Sequence, residues 1–183
     1  DIQFAKKKKV ALTFISINSR YWPYVKTVIE DCKKNFLPHH NIEYLVWTDI
    51  PEKGSKEYDN LPKSEWWSEE QLKSTVDYLY DTKGITVYPT EGIDWPAPTL
   101  MRYHLFLQQE EKLKEYDYVF YLDADMRVVE KISDEIFGTQ LTAAPHPGYV
   151  LNSRLIPPYE PNKDSAAYIP RLGQITKDEK GNN

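Results

Sequence analysis

The run VALTFISI, residues 10–17, is apolar and β-branched almost from end to end, and reads as a strand. After a short turn the period changes. Val25, Val28, Ile29, Cys32 and Phe36 recur at helical spacing, and Pro23 suits a first helical turn. A second strand-like run, IEYLVWTD at residues 42–49, ends in an aspartate and Pro51. Strand, helix and strand at this spacing predict two parallel strands joined by a right-handed crossover.

The alternation continues. Residues 52–70 are polar and turn-rich and read as a loop, in which Trp66 and Trp67 either pad a core edge or stack on a ligand. EEQLKSTVDYLYDTK reads as a helix with Leu72, Val76 and Leu79 on one face, and ITVYP, 85–89, as a short strand. Residues 99–116 read as one helix, capped by Thr99, with Leu100, Tyr103 and Leu107 along one stripe. YVFYL, 118–122, is the next strand, with Leu122 as its last buried residue, and LTAAP, 141–145, is a candidate strand. From Gly148 the chain is proline-rich with little periodicity.

Strands alternating with helices imply an α/β domain: a single Rossmann-like sheet, mixed but mostly parallel, flanked by helices on both faces. The 183 residues fit one domain. In such sheets ligands bind beyond the carboxyl ends of the strands, where Asp49 and Asp123 fall.

With 40% hydrophobic and 14% aromatic residues, the chain can bury a real core and differs from disordered sequences. A formal net charge of −5 argues against a general nucleic-acid binder. Cys32 is the only cysteine, which excludes an intrachain disulfide and a Cys-rich zinc site. Its place on an apolar helix face makes it a core residue rather than a reactive thiol. No apolar run approaches the roughly 20 residues that span a bilayer. AKKKKV, residues 5–10, reads as a solvated lead-in; as an anchor to anionic membrane, four lysines would bind weakly. The start, DIQF, lacks a methionine and is expected to be a trimmed or cut end.

The chemistry concentrates in YLDADM, residues 121–126. Asp123 and Asp125 lie two apart as the chain leaves a strand, and in extended geometry such residues share a side. Two carboxylates held close repel each other unless one is protonated or a cation lies between them. A hard divalent metal is the natural partner of carboxylate oxygens, with water and substrate phosphate oxygens completing its shell. A metal that bridges a diphosphate neutralises charge as that diphosphate leaves, so the pair points to group transfer from a nucleotide diphosphate donor. Solvated turn carboxylates are the alternative reading.

In its strand-to-loop setting YLDADM resembles the Asp-x-Asp signature of nucleotide-sugar glycosyltransferases of the A-type fold. MRY (101–103) before it, and EIFG (135–138), HPGY (146–149) and AAYIP (166–170) after it, stand in an order that resembles the retaining α-1,3-galactosyl- and N-acetylgalactosaminyltransferases, the family of the blood-group A and B enzymes. EYLVWTD and FISINSRY are similar to the family's second and first strands. YLDADM and EIFG alone also fit glycogenin-like retaining transferases; HPGY and AYIP favour the blood-group type.

The resemblance implies roles by position. Asp123 and Asp125 would hold Mn²⁺ (or Mg²⁺) and through it the diphosphate of UDP-galactose or UDP-N-acetylgalactosamine. Ile15, Ser16, Ile17 and Tyr21 would receive uracil and ribose, although Ser16 stands where the family commonly has a small apolar residue. Arg102 would face the donor sugar; an exposed helix charge in a surface ion pair is the plainer reading. His146 would line the pocket for a carbohydrate acceptor, with Trp95, Trp66 and Trp67 as weaker aromatic candidates. His104 reads as packing or surface, and His39 and His40 as solvated loop residues. The family's later segment, which bears the glutamate proposed as nucleophile, has no counterpart before the chain ends at KDEKGNN. The expectation is a domain incomplete at its carboxyl end, its catalytic nucleophile unknown, or a catalytically silent module that binds nucleotide-sugar. The compartment implied is cytoplasmic for a bacterial or phage-like source and the Golgi lumen for a eukaryotic one.

Overall fold

The structure is a computed structural model that describes residues 6–94, 96–144 and 164. The chain divides into two compact units, Asp1–Phe137 and Gly138–Asn183.

In the first unit the apolar runs become strands β1 (Lys9–Ser16), β2 (Asn41–Thr48), β3 (Ile85–Pro89) and β4 (Tyr118–Tyr121). They form one sheet in the order β3-β2-β1-β4, and every pairing is parallel. The expected α/β architecture, with helices on both faces, is present.

Side-chain alternation in β1 divides the core. Val10, Leu12 and Phe14 face helix α1 (Trp22–Asn35), whose Val25, Val28, Ile29 and Cys32 are fully buried. Beside it packs α3 (Glu69–Asp81), which follows the one-turn α2 (Lys56–Asp59) inside the loop expected at 52–70. Ser68 and Gln71 close α3's amino end with a reciprocal capping box, and Leu72, Val76 and Leu79 are buried as the spacing predicted. Burial pushes the Cys32 thiol up to about 12, in keeping with a core residue.

The opposite face, with Ala11, Ile15, Leu45 and Trp47, is covered more thinly. The single helix expected over 99–116 is three short pieces: α4 (Ala97–Leu100), α5 (Arg102–Leu107) and α6 (Glu110–Leu113). Thr99 lies inside α4 and caps nothing; Pro96 holds the cap position with no side-chain bond. Breaks at Met101 and Gln109 rotate the pieces, so Leu105 is buried and Phe106 packs on Trp47, while Leu100, Tyr103 and Leu107 are exposed.

Three further expectations fail. β4 is an edge strand among the described residues, with Val119 exposed and Leu122 only half-buried. Residues 141–144, in the second unit, form no strand among the described residues; Leu141 is 98% exposed, and Thr142 turns its hydroxyl onto the Gln140 carbonyl at 3.0 Å. His40 is not solvated: its side chain is 6% exposed, Nδ1 accepts from the Lys8 amide at 3.0 Å, and Nε2 lies 2.8 Å from Asp134. His39 and His104 are exposed. Among the described residues no helix is long and apolar enough to cross a membrane.

Candidate functional site

β1 and β4 are hydrogen-bonded neighbours, so their carboxyl ends deliver Ile17 and Asp123 to the same rim. There a cleft of about 500 Å³ opens, walled by the loop after β1, the residues after β4 and the start of α4–α5. Ile15, Ile17, Tyr21, Arg102, Asp123 and Asp125 all line it. Ser16 does not: it is fully buried, and its hydroxyl has no hydrogen-bond partner. Strand alternation turns it toward α1, away from Ile15 and Ile17.

The aspartates reach the cleft by a turn rather than by extended backbone. β4 stops at Tyr121, and the Met126 amide donates to the Asp123 carbonyl at 3.1 Å. Ala124 is buried between two exposed carboxylates. The chain beyond is fastened to α1. Arg127 Nε meets Asp31 at 2.5 Å, Asn35 donates to the Val128 carbonyl at 2.6 Å, and the Ile132 amide donates to the Asn35 carbonyl at 2.8 Å. Buried Val128 completes the clasp, so the aspartate turn is held at both ends.

Asp123 sits in a small network. The Tyr121 hydroxyl donates to Asp123 Oδ1, and Arg102 Nη2 approaches the same oxygen at 3.6 Å. The Arg102 guanidinium lies over the Tyr121 ring, 3.9 Å from its centroid. Burial raises the Tyr121 phenol above its ordinary pKa, and its bond to Asp123 raises it further, so it stays protonated and donating. Arg102 Nε is buried without a partner. Arg102 does make the ion pair of the plainer reading, with Asp123, but only a quarter of its side chain is exposed. Asp125 makes no hydrogen bond or ion pair among the described residues.

Asp49, the other strand-end aspartate, is a structural group. It accepts from the Asn18 amide at 3.0 Å and from the Trp22 indole at 2.7 Å. Asn18 has φ +78° and takes the Arg20 amide on its own side-chain oxygen at 3.1 Å. The loop that walls the cleft is thus fixed from β2.

Among the described residues the donor set fits a hard divalent cation only in part. Asp123 and Asp125 offer carboxylate oxygens, but among the described residues no cluster of three or more His, Cys, Asp or Glu could hold a metal. Water and ligand oxygens would add to these two carboxylates in the shell. His146 and Trp95 lie outside the described residues. Trp66 is exposed and Trp67 packs edge-on against Tyr24 at 5.2 Å; neither lines the cleft. Sequence reading missed Asn18, Arg20, Asp94, Thr99 and Tyr121 as cleft residues. Only Tyr121, two before Asp123 on one strand parity, carried a usable pattern.

Residues 94–174 match the model of glycosyltransferase family 6. Over these residues the chain is similar to that family, the one that holds the blood-group A and B transferases. It is 26% identical over 141 residues to the O-antigen biosynthesis glycosyltransferase WbnI of Escherichia coli, covering 75% of this chain and 49% of that protein. It is 27% identical over 160 residues to globoside alpha-1,3-N-acetylgalactosaminyltransferase 1 of Gallus gallus, covering 82% of this chain and 39% of that protein. The chain therefore spans about half, or less, of the length of these two relatives. The match includes Arg102, Asp123 and Asp125, and it extends across HPGY and AAYIP.

Proposed function

We propose that this chain carries the donor site of a metal-dependent retaining glycosyltransferase. The enzyme would move galactose or N-acetylgalactosamine from a UDP-sugar to an acceptor sugar hydroxyl in α-1,3 linkage. The observation that carries the reading is the convergence of Arg102, Asp123 and Asp125 with Ile15, Ile17 and Tyr21 on one cleft at the carboxyl ends of β1 and β4. The family match supports a transferase, and the relatives' names support a carbohydrate product.

Each residue then has a physical task. Ile15 and Ile17 form an apolar wall, and Tyr21 an aromatic one, for a flat base. The Tyr121 hydroxyl and the Arg102 guanidinium hold Asp123 by one oxygen, leaving its second oxygen and Asp125 in the cleft lining for a ligand. Arg102, mostly buried with an unpartnered Nε, would orient the sugar beside the aspartates. Asp123 and Asp125 would hold Mn²⁺ or Mg²⁺, which supplies positive charge against the departing diphosphate. His146 would meet the acceptor.

The test is a UDP-release assay with UDP-galactose and UDP-N-acetylgalactosamine, with and without acceptor sugars. Acceptor-stimulated release that chelator abolishes is expected. Metal-dependent UDP binding without any release would instead make the chain a binding module, and no UDP binding would reject the donor site.

A further inference from the structure

Arg20 is the cationic group of this cleft that no carboxylate claims. Two arginines and three aspartates line it: Arg20, Arg102, Asp94, Asp123 and Asp125. Arg102 is paired with Asp123. Among the described residues Arg20 has no carboxylate at ion-pair distance; its guanidinium lies over the Trp66 ring, 4.5 Å from the centroid, and 5.9 Å from that of Tyr21.

Its position is built rather than incidental. The Trp67 indole donates to the Arg20 carbonyl at 2.8 Å, and Trp67 is itself braced edge-on by Tyr24 at 5.2 Å. The Arg20 amide donates to the Asn18 side chain, and Asn18 is anchored by Asp49. The backbone of Arg20 is fixed on both sides, and its guanidinium rests on an aromatic plane at the cleft wall. A guanidinium on an indole loses less freedom on binding, keeps its edge donors available, and meets phosphate oxygens with a planar fork.

Charge balance says what it meets. The lining is formally acidic, and a divalent ion between Asp123 and Asp125 would be spent largely on those carboxylates. A nucleoside diphosphate adds further negative charge and needs a second cation. Resting on the donor-site reading above, we propose that Arg20, held by Trp66, is a phosphate-binding residue that contacts the diphosphate of the donor and leaving group, with Trp66 as its positioning residue. The adjacent tryptophans then have separate tasks: Trp67 pins the loop, and Trp66 poises the charge.

The experiment is calorimetry of UDP and of uridine against the wild type, Arg20→Gln and Trp66→Ala at fixed Mn²⁺. Arg20→Gln should weaken UDP binding roughly tenfold or more, the loss of one charge-assisted contact, and leave uridine binding unchanged. Its UDP affinity should also fall less steeply with added salt. Trp66→Ala should produce a smaller loss, again for UDP and not uridine. Melting of Arg20→Gln should match the wild type, since the exposed side chain makes no ion pair. Wild type that binds UDP with metal while Arg20→Gln binds it equally well overturns this inference alone. Equal loss for UDP and uridine overturns it too, as that marks a disturbed loop. Wild type that binds no UDP overturns both this inference and the donor site.

Discussion

The two faces of the sheet are built differently. On one, α1 and α3 lay long apolar stripes over Val10, Leu12, Phe14 and Val46, and the side chains at their centre are wholly buried. On the other, three short helical pieces supply little beyond Leu105, Phe106 and Leu113, Tyr116 follows them, and Tyr103 and Leu107 face solvent. The same strands serve both faces. The dry face is where stability resides; the thin face leaves room at the rim, and the cleft with Arg102 and the aspartates opens there. Stability and chemistry are separated across one layer of backbone, so substitutions can address either alone.

The largest contrast comes from truncating one side chain on each face. Phe14→Ala empties a fully buried site and should cost about 3–5 kcal/mol in denaturant unfolding. Leu107→Ala, on the thin face, should change stability by no more than about 0.5 kcal/mol. Comparable losses would mean that the second face is packed as tightly as the first.

Asp49→Ala sharpens the comparison at the rim. It leaves the Asn18 amide and the buried Trp22 indole without their acceptor, and should cost about 2 kcal/mol. Because Asn18 walls the cleft, this variant should weaken UDP binding together with stability. Calorimetry and melting on one sample would show whether the two move together.

The smallest effect is electrostatic. The hydrogen bond from Arg127 holds the Asp31 carboxyl below its ordinary pKa. A lowered folded-state value adds stability that is complete above about pH 4 and is lost as pH falls through the depressed value. Wild type should therefore melt above Asp31→Asn at neutral pH, and the gap should close in acid. A gap that widens in acid would reverse the sign.

Legibility in the sequence followed the same division. Where one long stripe meets one face, periodicity sufficed: Leu72, Val76 and Leu79 were read as buried and are. Over 99–116 the same reasoning chose Leu100, Tyr103 and Leu107, the exposed side, because breaks at Met101 and Gln109 reset the phase. A period cannot report a break that is made by tertiary packing. YLDADM showed itself because acidic residues directly after an apolar strand are costly without a partner. Its support did not: the clasp of Arg127 on Asp31, the brace of Asp49 under Asn18, and His40 between Lys8 and Asp134 each join residues far apart in the chain. Ser16 was grouped with Ile15 and Ile17 by resemblance, and strand alternation turns it the other way.

The most direct measurement is calorimetric titration of UDP into wild type and Asp125→Asn, each with and without Mn²⁺. Asp125 bonds to nothing among the described residues, so the substitution leaves the fold intact and isolates the ligand contribution. Mn²⁺ should strengthen UDP binding at least tenfold in the wild type, the gain of one charge-assisted ligand contact, and far less in Asp125→Asn, which keeps only Asp123 as a carboxylate ligand. Equal metal dependence in both proteins would contradict this expectation.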